Sequence, residues 1–163
     1  DVTRFRDGLI ELSPRVMHIA TPIDKATRLV KARFELQVTR TIEPDAECFR
    51  FDPERITQVF INLFSNAARY LKEGTYPQVH VHVKKIDDFV EISVTDNGVG
   101  IPKEKLPYVF ERFYQADMSI ARRRGGTGLG LTIVKGIVNA HHGTIKVESQ
   151  IGEGTRFIMR LPY

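Results

Sequence analysis

Four glycines within six positions, Gly125, Gly126, Gly128 and Gly130, follow the arginine triplet Arg122 to Arg124 and lead into Thr132-Ile133-Val134-Lys135-Gly136-Ile137-Val138. That run reads as a helix. A glycine-rich turn opening a helix suits phosphate, because glycine lets backbone N–H groups come close and the helix N-terminus favours anions. No Gly-Lys-Ser/Thr follows, so this is not a Walker A loop. A flexible loop before a core helix would share the pattern, and the glycines need partners to carry chemistry. Asn62 and Asn66, four apart on an expected helix, share a face at about 100° per residue, with Arg69 beside Asn66. Asparagine is a poor helix former. Either these amides face solvent or backbone, or an amide oxygen is set for a hard cation with Arg69 near phosphate. Magnesium takes one or two protein oxygens and leaves its other positions to water and phosphate, so no carboxylate cluster is required.

Asp96-Asn97-Gly98-Val99-Gly100-Ile101-Pro102 is the next candidate. Asp96 has the parity of Val90, Ile92 and Val94 and is expected to point to the core side at a strand's end. An inward carboxylate is expensive unless hydrogen-bonded. A purine amino group is a suitable donor; a simple Asp-Asn-Gly turn is the alternative. In Val109-Phe110-Glu111-Arg112-Phe113-Tyr114 the two phenylalanines read as local core. The arginine triplet is either a solvated face or part of a flap over phosphates.

The elements that position these residues follow from periodicity. Thr21-Pro22 reads as a helix start, with Thr21 as cap and a helix to about Arg33 burying Ile23, Ala26, Leu29 and Val30. Phe34 to Arg40 alternates as a half-buried strand. Asp52-Pro53 starts a helix to about Leu71, with the apolar stripe Ile56, Phe60, Leu63, Ala67 and Leu71. Val79, Val81 and Val83, then Val90, Ile92 and Val94, predict a hairpin with one buried face. A short helical piece is expected over 103–113, and the glycine-led helix is expected to end with Gly143 as its cap. Two strands over 144–149 and 155–161 close the chain. Residues 1–15 read as a helix tail broken at Gly8, then a short apolar strand and Ser13-Pro14: the exit from a preceding domain, with the domain proper over 16–163. The fold class is α+β: a two-layer α/β sandwich, its mixed, mostly antiparallel sheet covered on one face by three helices.

A chain of 163 residues, 42% hydrophobic and 27% charged, is one ordinary domain with a real core. The net charge of +4 suits an anionic ligand, but the basic residues are interleaved with acids and give no nucleic-acid signature. Cys48, the one cysteine, excludes an internal disulfide and fits a reducing, cytoplasmic setting. No apolar run reaches membrane-spanning length. The chain begins at Asp1 without a methionine and is expected to be part of a longer protein, whose own membrane anchorage stays open.

Taken jointly, these stretches resemble the catalytic and ATP-binding domain of sensor histidine kinases. Asn62-Leu63-Phe64-Ser65-Asn66-Ala67-Ala68-Arg69-Tyr70 is similar to the family's N box, and Asp96-Asn97-Gly98-Val99-Gly100-Ile101 to its first glycine box. Phe110-Glu111-Arg112-Phe113 resembles the F box, Gly126-Thr127-Gly128-Leu129-Gly130-Leu131 the second glycine box, and Gly152-Glu153-Gly154-Thr155-Arg156-Phe157 the closing segment. The motifs run in family order from about residue 20 to 163, and residues 1–15 are similar to the family's link from the dimerisation helix. The resemblance implies the Bergerat or GHKL fold, with ATP between the middle helix and a lid over about 115–126. It implies Asn66 as magnesium ligand, Asn62 assisting, and Arg69 (often lysine in relatives) on the phosphates. Tyr70 and Phe113 would line the nucleotide site, Asp96 would accept from the adenine amino group, and Gly98, Gly100 and Ile101 would shape the base site. Gly126, Thr127, Gly128, Leu129, Gly130 and Leu131 would meet phosphate, and Thr155 would lie near the adenine through water. The implied partners are ATP or ADP, a dimerisation and histidine-phosphotransfer domain of the same protein, and a response regulator.

The family's phosphoacceptor motif, His-Glu/Asp-x-x-Thr-Pro, is not met by Met17-His18-Ile19-Ala20-Thr21-Pro22, which lacks the acid and is one residue short. His80 and His82 are expected on an outer strand face, and His141 and His142 in a helix's last turn, where the dipole favours them. The chain thus carries the donor half of a phosphotransfer. ATP-hydrolysing relatives of the same fold carry glutamate four residues before the magnesium asparagine. Here that residue is Asn62, which cannot activate water, so kinase is favoured over ATPase. The alternatives are a regulatory nucleotide-binding module without kinase activity and an anti-sigma-type serine kinase.

Overall fold

The computed structural model describes residues 10–111 and 130–163. The chain runs β1 (Arg15–His18), α1 (Ala20–Lys31), β2 (Gln37–Ile42), β3 (Cys48–Phe51), α2 (Pro53–Arg69), β4 (Gln78–Ile86), β5 (Phe89–Asp96), a 3₁₀ turn over Lys103–Tyr108, α3 (Gly130–Ala140), β6 (Thr144–Gln150) and β7 (Gly154–Pro162). The main sheet has the order β2-β4-β5-β7-β6, with β2 parallel to β4 and every other pair antiparallel. The helices α1, α2 and α3 bury one face of it, as the alternation of the strands requires.

The core lies between that face and the helices. From the sheet come Val79, Val81, Val83, Val90, Ile92, Val94, Phe157, Met159 and Leu161; from α2 come Ile56, Phe60, Leu63 and Phe64. The outer face is mostly polar, with Ile158 across from Ser93 as a buried apolar exception. At its centre Glu91 and Ser93 are nonetheless buried, because β5 is flanked by β4 and β7 and its neighbours' side chains cover it. Glu91 is held there by Arg160 at 3.1 Å and Lys84 at 3.9 Å.

Several expectations shift. The cap of α1 is not Thr21: the helix begins at Ala20, and His18 Nδ1 accepts from the Ala20 N–H at 3.1 Å. Leu29 is 48% exposed, since it sits about 240° round the helix from Ile23. The first extended stretch is β1, which pairs antiparallel with β3 in a separate two-stranded sheet, whereas residues 10–14 form neither helix nor strand. The strand expected from Phe34 begins at Gln37, with the alternation of Phe34, Leu36 and Val38 preserved. The helical piece near 103 is a 3₁₀ turn. At the end of α3 the left-handed residue is His142, φ 61°, rather than Gly143. His142 N–H bonds Asn139 O and Gly143 N–H bonds Val138 O, the Schellman arrangement. Gly143 is required one place later, where a Cβ would overlap the Arg160 carbonyl.

One buried polar cluster ties α2 to α3. Asp52 caps α2 by accepting from Arg55 N–H at 3.1 Å, with proline next as expected, and accepts from Ser13 N–H at 2.7 Å. The Asp52 N–H donates to His141 Nε2 at 3.1 Å, and His141 Nδ1 lies 2.8 Å from Ile137 O. This pairing requires neutral imidazole with its proton on Nδ1. Burial pushes the His141 pKa below its ordinary value, against the pull of the Ile137 carbonyl and the Asp52 carboxylate. The unfolded chain therefore binds this proton before the folded one, and stability falls as pH drops below about 6.5 toward the lowered value. Thermal melts should show the loss between pH 7.5 and 5.5. His141→Leu should cost about 2 kcal/mol at pH 7.5, by stranding the Asp52 N–H, and should flatten that acid-side slope.

Candidate functional site

The middle helix joins two groups of the residues singled out above. Halfway along α2, the Asn62 amide donates from Nδ2 to Gly130 O at 3.3 Å. That bond seats the start of α3 on the polar face of α2, and a Cβ at Gly130 would lie 3.7 Å from the Asn62 side chain. The first-turn amides of α3 are thus brought beside Asn62. Asn66 lies one turn further along the same helix and is half-buried. Arg69, the last residue of α2, carries its guanidinium over the Phe34 ring, 5.7 Å from the centroid. Its Nε is buried with no hydrogen-bond partner among the described residues.

At the C-terminal end of α2 the second group assembles. Tyr70 caps the helix, and its carbonyl accepts from Val99 N–H at 2.8 Å. A Cβ on Gly98 would come within 2.5 Å of that carbonyl, which explains the glycine. Gly100, at φ 78°, packs on the Gln150 carbonyl, and Gly154, at φ 111°, on the Asp96 carbonyl; a Cβ at either would overlap backbone. Asp96 faces inward with Val90, Ile92 and Val94, as its parity predicts. Its Oδ1 accepts from Gly98 N–H at 2.8 Å and from Thr155 N–H at 3.2 Å. Burial raises the Asp96 pKa above its usual range, and those two N–H groups oppose the shift. The Asp-Asn-Gly turn and the inward carboxylate therefore coexist: the turn uses Oδ1 and leaves Oδ2 outside both bonds.

Around this group sit residues that motif reading passed over. Asn97 accepts from Gln78 N–H at 2.8 Å and donates to Tyr76 O at 3.0 Å, pinning the segment before β4. Lys72 Nζ donates to Gly152 O at 2.7 Å. Ser149 Oγ accepts from Ile101 N–H at 2.7 Å and contacts Gly154 O and Thr155 Oγ1. A sequence signal for Ser149 existed: it continues the inward parity of Ile145 and Val147, where an apolar residue is the default. Phe110 packs edge-on against Phe157 at 6.2 Å, its carbonyl accepts from Thr132 Oγ1, and Lys135 lies over its ring, so it is local core as expected. Leu131 is half-buried and packs against the core. Phe113, Gly126, Thr127, Gly128, Leu129, the arginine triplet and the expected lid over 115–126 lie outside the described residues, as do residues 1–9.

His80 and His82 are on the outer sheet face as expected, His80 bonded to Thr39 Oγ1 and His82 3.6 Å from Glu43. Among the described residues no cluster of three His, Cys, Asp or Glu side chains could hold a metal. No described helix is long and apolar enough to cross a membrane.

A half-buried carboxylate beside glycine-tightened backbone at one end of α2, and Asn62 meeting the start of α3 at its middle, are the arrangement of a nucleotide-binding class of domain. Residues 51–163 match the family model described as histidine kinase-, DNA gyrase B- and HSP90-like ATPase, and the chain belongs to that family. Within it, the chain corresponds to the ATP-binding catalytic domain of sensor histidine kinases. It is 40% identical over 141 residues to sensor histidine kinase WalK of Bacillus subtilis (strain 168), which covers 83% of this chain and 23% of that protein. With sensor protein kinase WalK of Staphylococcus aureus it shares 43% identity over 112 residues, 69% of this chain and 27% of that protein. The chain thus spans about a quarter of the length of these curated relatives. The solved mycobacterial sensor histidine kinase MprB superposes with a TM-score of 0.76 at 27% identity, over 92% of this chain and 97% of that one. Full-length ShkA in complex with AMPPNP superposes with a TM-score of 0.78 at 27% identity, over 94% and 32%.

Proposed function

We propose that this domain binds ATP with magnesium and donates the γ-phosphoryl group to a histidine on a dimerisation domain of the same protein, for relay to an aspartate on a response regulator. The observation that carries the reading is the Asn62 to Gly130 bond, which turns the polar face of α2 toward the N-terminus of α3. The residue type supports the kinase assignment: an asparagine amide has no basic atom for activating water. Asp96 supplies the base end: Oδ2 would accept from the adenine amino group while Oδ1 stays with the backbone. The complex of ShkA with AMPPNP is consistent with an adenine nucleotide on this fold.

The donor set fits the metal. Asn66 stands one turn beyond Asn62 on α2, where its amide oxygen would serve a hard cation that keeps phosphate oxygens and waters and needs little more from the protein. Bound magnesium would supply charge neutralisation on the phosphates. Asn66 would hold it, Asn62 would fix α3 beneath the phosphates, and backbone N–H groups from Gly126 to Leu131 would donate to them. Arg69 would add positive charge, with Phe34 as its platform. Tyr70, Gly98, Gly100, Ile101, Phe113 and Thr155 would enclose the base and sugar. Phosphoryl transfer is chiefly positioning and charge stabilisation, so the domain alone would bind well and turn over little. The reading involves no nucleic acid and no membrane contact by this domain, and it places the domain in the cytoplasm.

Calorimetry with AMPPNP and magnesium tests the first half. Saturable one-to-one binding that weakens when magnesium is chelated is expected, and no binding sinks the proposal. Adding a dimerisation-domain fragment with γ-labelled ATP tests the second half. Acid-labile label should appear on the fragment; binding without transfer would point to a regulatory module instead.

A further inference from the structure

Ser149 has no role in the phosphate chemistry, yet its hydroxyl lies where three chain segments meet. It is half-buried on the inward face of β6, directly across from Thr155 in the β6–β7 register. Three contacts converge on Oγ: Ile101 N–H at 2.7 Å, Gly154 O at 2.8 Å and Thr155 Oγ1 at 2.9 Å. A hydroxyl has one proton and two lone pairs. Ile101 N–H can only donate and Gly154 O can only accept. If all three contacts are hydrogen bonds, Ser149 gives its proton to Gly154 O and takes one from Thr155. The Thr155 proton is then spent inside the protein, and Thr155 Oγ1 keeps only lone pairs for anything beyond it.

We infer that Ser149 is a positioning residue for base recognition: it fixes Thr155 as an acceptor beside Asp96 and anchors the Ile101 backbone that closes the same group. This deepens the ATP-site reading above and rests on it. Asp96 and Thr155 are already joined by the bond from Thr155 N–H to Asp96 Oδ1. With the Thr155 proton committed to Ser149, two neighbouring oxygens, Asp96 Oδ2 and Thr155 Oγ1, face the ligand as acceptors. Whatever reaches Thr155, an amino group of the base or a water held against it, must donate. Removing the Ser149 hydroxyl frees the Thr155 rotor, so that Thr155 must be reordered at each binding event, and releases Ile101.

The test is a double-mutant cycle on ADP affinity, read by calorimetry in the intact domain. Ser149→Ala should weaken ADP about tenfold, the worth of a neutral hydrogen bond lost at a half-buried site. In a Thr155→Val background the same change should cost clearly less, because the group through which Ser149 acts is gone. Ser149→Thr, which keeps the hydroxyl, should restore most of the affinity. A residue with only a structural role would lower the melting temperature and give an additive cycle; additivity overturns the inference. If Ser149→Ala does not fold, Ser149→Cys, close in volume and a weak acceptor, runs the same cycle with the same two outcomes. Wild-type domain that binds no ADP overturns this inference together with the ATP-site reading, whereas wild-type binding with an additive cycle overturns this inference alone.

Discussion

Asp96→Asn should weaken ADP binding by about a hundredfold while leaving the unliganded domain at least as stable as the wild type at pH 7.5. Both backbone bonds to this side chain land on Oδ1. An asparagine with its carbonyl oxygen there keeps them, and its NH₂ replaces only Oδ2. The ligand's donor then meets a donor, and a charge-assisted bond is exchanged for a repulsive contact, worth roughly 3 kcal/mol. Stability moves the other way. Burial raises the Asp96 pKa, so the folded chain holds this proton more tightly than the unfolded one. The group's contribution is therefore full below about pH 4 and is lost as pH rises through the raised folded value, leaving a standing cost at neutral pH. Asparagine carries no such cost. Melting temperatures of the two proteins should differ most at pH 7.5 and converge on acidification, which separates this group from the opposite trend of His141. A variant that melts clearly lower at pH 7.5 would contradict the placement of both backbone bonds on Oδ1.

Gly154→Ala is the larger blow to the fold. At φ 111° the backbone is in a region that side chains rarely adopt, and the added Cβ would overlap the Asp96 carbonyl. The carbonyl cannot retreat without dragging the Thr155 N–H to Asp96 bond and the end of β5. Backbone strain and the clash together should cost about 3 kcal/mol or more in urea denaturation. Gly152→Ala is the internal comparison: φ is 84°, but a Cβ there meets nothing within 4 Å, so only the dihedral cost of about 1 kcal/mol applies. Equal losses at the two positions would mean that the close approach at Gly154 is relieved by a small shift. Gly154→Ala should also abolish measurable ADP binding, since the same backbone sets Asp96.

The sequence shows most clearly the elements whose side chains repeat against one large surface. For α2, the aspartate cap, Pro53 and the apolar stripe from Ile56 to Ala67 all agree, although the helix ends at Arg69 and leaves Leu71 outside it, and β4 and β5 alternate in sequence because their inward faces meet the helical layer. The inward aim of Asp96 was legible for the same reason. What stayed hidden depends on partners distant in the chain. β1 and β3 are four residues each and exist because they pair with one another, and neither carries enough residues for a period to show. Thr21 had the chemistry of a cap, but His18 reached the first free N–H instead. The Asp52–His141 contact spans 89 positions, and the Arg69–Phe34 pair joins the end of one helix to the connection after another. Among site residues, the two asparagines and the glycines stood out because they are poor choices for a helix interior or an ordinary loop. Ser149 did not, since a serine near a strand's end is unremarkable until Ile101 and Thr155 are seen to meet on it.

The wall beside Asp96 is built of main chain pressed on main chain, with Gly98 against the Tyr70 carbonyl, Gly100 against Gln150 and Gly154 against Asp96. Such a wall cannot be reshaped by exchanging side chains, because any Cβ placed there strikes a backbone that another element holds. For a competitive inhibitor resting on it, escape by point substitution is left to side chains such as Asp96, Thr155 and the serine behind them. Each of those changes would also weaken the nucleotide, so resistance there would come at the expense of the domain's own ligand.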